Sequence, residues 1–256
     1  MGNKVALAIF LGAMPQVVLG QRGQPIVRAE MVADTSAIRP GKAFGVGVLL
    51  HIQPGWHIYW VNPGEAGEAT SVKYTLPEGF AAGAVQFPVP KRFEDPGGIV
   101  GYGYTDSVLL VSEIAAPKDL SPGTRVTLRA RARWLSCKEV CVPGEAELKI
   151  ELPVATAGGP ANGQLFAEWR GRLPVDADSP ASPAKVRVSG GIPERGSDGR
   201  FEIVLDWRAA PGKVEWFPGP QAALEIRDAA VRTEGTHTRI TFSARVLRGQ
   251  ALEDRE

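Results

Sequence analysis

The stretch Arg125–Leu152, RVTLRARARWLSCKEVCVPGEAELKIEL, decides how the chain folds. In its first half Val126, Leu128, Ala130, Ala132 and Trp134 interleave with Thr127, Arg129, Arg131 and Arg133. In its second half Ala146, Leu148, Ile150 and Leu152 interleave with Glu145, Glu147, Lys149 and Glu151. Alternation with a period of two marks strands with one dry face and one wet face. Two amphipathic strands therefore flank a tight connection that holds both of the chain's 2 cysteines. If Cys137 faces Cys141, Arg133 falls opposite Glu145, Arg131 opposite Glu147, Ala132 opposite Ala146 and Leu128 opposite Ile150. Opposite charges then meet on the wet face and apolar side chains on the dry one, with Arg129/Lys149 the one like-charged pair. A slip of one residue would turn a whole apolar face to water, so this register is strongly specified. Opposed Cα atoms of a non-hydrogen-bonded pair lie about 4.5 Å apart, within the span of a disulfide. Pro143 would then face Leu135 in a second such pair, where its missing N–H costs nothing.

Three chemistries compete for the cysteines. A structural zinc site wants four ligands, and the chain offers 3 histidines and no second cysteine pair. A structural disulfide across so short a loop removes little entropy from the unfolded chain. For redox exchange, Lys138 favours a thiolate and Glu139 opposes it, and a hairpin tip lacks the helix N-terminus that acidifies thiols elsewhere. Such a dithiol suits passing electrons between partners rather than unaided attack. The residues alone leave staple and redox couple both open.

Outward from the hairpin, short alternating segments broken by Gly and Pro run from Ile26 to Val154, the pattern of an all-β sandwich. Strands are expected at Val27–Asp34, Ala43–Ile52, Trp56–Val61, Ser71–Leu76, Ala84–Phe87, Val108–Ile114, Arg125–Leu135 and Glu145–Leu152. RPGK, QPGW, NPGEAG, LPEGF and SPGT supply the turns. The Ala-, Gly- and Pro-rich segment 156–184 reads as a linker with a short helix at Gln164–Leu173. Alternation returns in AKVRVSGG, RFEIVLDWRA, KVEWFPGP, AALEIRD and HTRITFSARVL, a second β domain over 185–256. That length is short of the roughly 100 residues of a complete sandwich, and LRGQALEDRE shows no closing strand, so this domain is expected to be incomplete or truncated.

The 256 residues carry 29 Lys+Arg against 28 Asp+Glu with no run of like charge, which argues against a nucleic-acid or anionic-membrane surface. Residues 1–20, MGNKVALAIFLGAMPQVVLG, have an early Lys4, an apolar run from Val5 to Met14, and Val18 and Gly20 before a cut. They read as a secretory signal, too short to span a bilayer. An exported, soluble protein in an oxidising compartment is expected, where Cys137 and Cys141 can join.

PGWHIYWVNPGEAG, VGYGYTDSVLLV and WLSCKEVCVPGEAEL, in that order along the chain, resemble the amino-terminal periplasmic domain of the DsbD family of membrane thiol:disulfide reductases, in particular its ScsB-like branch. The resemblance covers roughly Val27 to Val154 and extends more weakly to LFAEWRGRLP and the β segment after it. It implies an immunoglobulin-like domain over 21–155 whose cysteine pair, here Cys137 and Cys141, takes electrons from a membrane-embedded thiol reductase. The pair would pass them to disulfides of periplasmic proteins such as disulfide isomerases or apocytochrome c maturation factors, as a protein-disulfide reductase component. Which cysteine forms the mixed disulfide is left open by the match; analogy of order favours Cys141. An aromatic cap loop shields the family's pair. Phe93, Tyr102 and Tyr104, in KRFEDPGGIVGYGY, are candidates for that cap, and Trp134 is a candidate for partner contact. Full members continue into membrane helices and a thioredoxin-like domain, which do not follow Glu256, so the electron donor is expected to be a separate protein.

Other residues carry weaker signals. His51 and His57 flank IQPGW and, across a hairpin, would suit copper; the blander reading makes each a partly exposed hairpin residue. His237 has no visible companion. Trp56, Tyr59 and Trp60 would suit a carbohydrate platform but are expected in the core. No hydrolase or phosphate-binding motif is present, and no cofactor is expected. The alternative to thiol exchange is a non-catalytic β-sandwich that binds partners or copper, its disulfide merely structural.

Overall fold

A computed structural model describes residues 25–95, 97–191, 198–220 and 224–246; the expected signal segment and the terminal LRGQALEDRE lie outside them. Ten strands form a sandwich of immunoglobulin-like type: β1 Val27–Ala33, β2 Ala43–Ile52, β3 His57–Gly64, β4 Ser71–Thr75, β5 Ala81–Ala82, β6 Lys91–Asp95, β7 Ile99–Tyr104, β8 Ser107–Ala115, β9 Arg125–Cys137 and β10 Cys141–Pro153. One sheet has the order β1-β2-β8-β5; the other has β10-β9-β3-β7-β6, with β4 also paired to β9. A further antiparallel sheet, β11-β12-β14-β13, is built from β11 Ala184–Gly191, β12 Asp198–Trp207, β13 Leu224–Glu234 and β14 His237–Val246.

The hairpin that opened the sequence reading is the second sheet's edge. Its register runs from Cys141 opposite Cys137 to Pro153 opposite Arg125 and includes every cross-strand pair expected from the alternation. Val126, Leu128, Ala130, Ala132 and Trp134 are buried, while Arg129, Arg131 and Arg133 are exposed. On its other side β9 is held by β4, from Ser71/Arg133 to Thr75/Arg129, and at its cysteine end by β3, through His57/Cys137 and Ile58/Ser136.

The apolar runs of β2 and β8 are unbroken rather than alternating, which signals a sheet covered on both faces. Val46, Val48 and Leu50 are fully buried, and so are Val108, Leu109 and Leu110. The second cover is α1, Gly163–Arg170, which contacts β8 and adds Phe166 and Trp169 to the sandwich core. Polar anchors fix it at both ends. The Asn162 side chain donates to the Ala33 carbonyl at 3.0 Å, and Arg170 reaches Asp34 at 2.6 Å. The segment expected as a linker therefore includes a structural part of the sandwich.

Three expectations need correction. The strand expected at Ala84–Phe87 is reduced to a single bridge between Gln86 and Val111, and the strand beside β8 is β5, Ala81–Ala82. KRFEDPGGIVGYGY is a hairpin, β6–β7, rather than a loop. KVEWFPGP is not a strand: Pro218 and Pro220 interrupt pairing, and the segment instead braces two bodies. Adjacent side chains of extended chain point opposite ways. Trp216 stacks on Phe242 of β14 at 4.8 Å, while Phe217 meets Trp60 and Tyr102 of the sandwich edge-on at 6.5 and 5.4 Å. The Asn62 side chain donates to the Pro218 carbonyl alongside.

Candidate functional site

Cys137 and Cys141 are joined by a disulfide with Cα atoms 4.1 Å apart, at the end of a long, well-paired hairpin. The two sulfurs differ in environment. Cys137 is 2% exposed, because β3 flanks it on the side away from Cys141. Cys141 is exposed, since β10 is the edge of its sheet. Around it the tip is apolar: Val140 is 64% and Val142 38% exposed. The short connection closes on itself through the Lys138 N–H and the Val140 carbonyl. The Lys138 side chain lies back toward the turn at Gly55.

Residues 133, 135 and 137 of β9 share the outer face of the second sheet, so the cysteines stand at the end of a row of charges. Arg131 contacts Glu145 at 2.7 Å and Glu147 at 3.3 Å, and Arg133 contacts Glu145 at 3.3 Å. The hydrogen bond and charge of Arg131 hold the Glu145 carboxyl below its ordinary range, and those of Glu145 push the Arg131 guanidinium up. These groups are solvent-exposed, and such pairs contribute little to stability. Their role is to reinforce a register that the apolar face already sets.

Directly beside Cys137 lies His57, the first residue of β3 and 8% exposed. Its ring packs against Phe93 of β6 at 4.0 Å and against Tyr59 at 5.2 Å. Phe93 reaches so far because β7, between β6 and β3, presents glycines on this face. A Cβ at Gly101 would stand 2.2 Å from the Phe93 ring, and one at Gly103 would stand 1.9 Å from the Ile58 carbonyl. The phenyl ring thus lies across a trough floored by glycine and ends over the neighbour of Cys137.

Of the expected aromatic candidates, Phe93 alone joins this group. Tyr104 is a core residue, 4% exposed, its hydroxyl donating to the Pro88 carbonyl at 2.7 Å and its pKa pushed up by burial. Tyr102 turns toward Phe217 and away from the cysteines. Trp134 faces the interior at 6% exposure, so it is not a contact surface. Trp60 is likewise buried, and Trp56 packs against the same core, which removes the carbohydrate platform. The copper geometry fails on topology. His51 lies on β2 in one sheet and bonds Glu30 at 2.9 Å, while His57 lies on β3 in the other sheet; no hairpin joins them. Among the described residues no cluster of three or more metal-ligating side chains forms, and no helix is long and apolar enough to cross a membrane. His57 itself was legible as a residue but not as a neighbour of Cys137, since the β3–β9 pairing joins segments far apart in sequence.

The family model described as "Thiol:disulfide interchange protein DsbD, N-terminal" matches residues 24–153. Among solved structures, the chain resembles the crystal structure of the N-terminal periplasmic domain of ScsB from Proteus mirabilis, with a TM-score of 0.64 and 20% identity. The match covers 92% of this chain and 87% of that one, so the likeness of fold continues past residue 153 into the further β region. No curated protein sequence matches the chain.

Proposed function

The chain belongs to the family of DsbD N-terminal domains through residues 24–153, and from that premise we propose that it works in the periplasm, Cys137 and Cys141 carrying electron pairs between thiol proteins. A membrane-embedded thiol reductase supplies the electrons, and disulfides of periplasmic proteins receive them. Residues 1–20 direct export in this reading. The observation that carries it is the asymmetry of the pair: within the family's matching region, an exposed Cys141 ringed by Val140 and Val142 is tied to a buried Cys137. An exposed sulfur admits an incoming thiolate, and a buried one admits none but its neighbour.

The reading is tested by equilibrating the protein with a thioredoxin-type dithiol of known potential. A Cys137–Cys141 bond that opens and closes reversibly within the range of such reductants, about −270 to −120 mV, is expected. A bond that resists every one of them would make it a structural staple and sink the reading.

Phe93 serves here as the cap, covering the His57 side of the pair. Phe93→Ala is expected to raise the rate at which a small thiol opens the disulfide by several-fold. The ring is only half-buried, so the accompanying loss of stability should be about 1–2 kcal/mol. Stopped-flow reduction of both proteins decides it, and equal rates would mean that the ring merely packs.

A further inference from the structure

The buried cysteine poses a chemical problem. In the reduced protein Cys137 must lose its proton before its sulfur can attack, and burial away from water disfavours the thiolate. Residues directly opposed across antiparallel strands carry their Cβ atoms about 4.5–5.5 Å apart on the same face. His57 holds that position relative to Cys137 on the side away from Cys141. The phenyl ring of Phe93 and the ring of Tyr59 fix its imidazole in place.

We infer that His57 is the proton acceptor for Cys137 in the second half of thiol exchange, an inference that rests on the exchange reading above. In the first half, the Cys141 thiolate attacks a sulfur of the partner disulfide; a mixed disulfide forms and the partner's other sulfur leaves as thiolate, then takes a proton. In the second half, the Cys137 proton passes to the His57 imidazole and the Cys137 thiolate attacks Cys141 Sγ. The Cys137–Cys141 bond forms and the bond to the partner breaks. The partner's second thiolate is protonated, and the imidazolium returns its proton to water. Two electrons and two protons have moved from this protein's dithiol to the partner.

The surroundings of His57 suit the role. Phe93 and Tyr59 bring aromatic faces and no fixed charge. Lys91, on the same face of β6 as Phe93, is turned to Thr105 at 2.8 Å and to Asp106 at 3.7 Å. Arg92 and Glu94 pair with each other on the other face of that strand. Lys138 lies along the turn at Gly55 that leads into β3, and Glu139 is exposed at the hairpin tip. Cys137 therefore has an imidazole beside it.

The test uses reduced full-length protein and an aromatic disulfide probe whose leaving thiolate is coloured. Release of the first thiolate reports Cys141, and release of the second reports Cys137. His57→Gln is expected to leave the first rate within about twofold and to slow the second about 100-fold at neutral pH, the lower end of the roughly 10²–10⁴-fold that general base catalysis contributes. The residual second step should rise ~tenfold per pH unit, as expected when hydroxide alone makes the thiolate, while the wild-type rate changes far less over the same interval. An unchanged second step with an unchanged pH profile overturns the inference, and so does an equal slowing of both steps, which marks a structural role. A wild-type protein that releases neither thiolate overturns the exchange reading itself. Should the variant fail to fold, NMR on the reduced wild type replaces it. The His57 ring resonances and the Cys137 Cβ resonance should then shift over one shared pH range; independent titrations overturn the assignment.

Discussion

Reduced Cys137→Ala protein, mixed with a periplasmic extract or a model disulfide protein, will accumulate a covalent adduct through Cys141 and go no further. The exposed thiol can still attack, but the sulfur that would close the intramolecular bond is gone. Cys141→Ala should do the reverse. It keeps only a thiol that is buried beside β3, so neither adduct nor turnover is expected. For both variants multiple-turnover reduction should fall to the uncatalysed background, the largest change any substitution here will produce. Non-reducing electrophoresis and mass spectrometry of the adduct check it. Adducts from both variants in equal yield would show that the burial difference does not direct the chemistry, and adducts from neither would favour the structural disulfide.

The largest stability effect is expected at a site remote from the cysteines. Phe166 is fully buried although it stands on an eight-residue helix after the sandwich strands. Phe166→Ala removes a ring from a closed core, a change that costs about 3–5 kcal/mol, a large part of the roughly 5–15 kcal/mol that holds a domain together. Without that anchor α1 has little to hold it: an isolated helix of this length is unstable in water, and Asn162 and Arg170 attach only its ends. The outer face of β2 and β8, including Leu49 and Leu109, would then meet water. Denaturant unfolding read by the amide exchange of β2 and β8 follows the sandwich itself, where a whole-chain signal would mix in the other sheet. A loss below about 1 kcal/mol would show that the helix only rests on the sandwich. Val188→Ala, at an exposed site on β11, should change stability by no more than about 0.5 kcal/mol.

The cysteine hairpin was legible because two independent signals, apolar alternation and opposed charge, agree on one register. Ala43–Ile52 was legible for its length and β-rich composition. The β6–β7 hairpin was not, because the positions that should carry apolar side chains on β7 are Gly101 and Gly103. Their emptiness is the structural point, since Phe93 and the β3 backbone occupy the space; read as a string, the same glycines signal a loop. The aromatic candidates divided for a related reason. Tyr102 and Tyr104 lie two residues apart on one strand, and the difference between them is made by Phe217 and Pro88, which no local pattern connects to them. The pairing of His57 with Cys137 depends on sheet order, which alternation does not encode.

The hairpin's long register has a further consequence for the redox cycle. Below the sulfurs the strands stay zipped from Ser136/Val142 to Arg125/Pro153, and β4 and β3 grip β9 from the other side. Opening the disulfide therefore frees little more than the tip at 138–140. The dithiol is left preorganised, each sulfur facing the other at an effective concentration far above that of any competing thiol. In the proposed cycle oxidation state would be a local label on a rigid body rather than a change of shape, to be read by a partner at the sulfur itself.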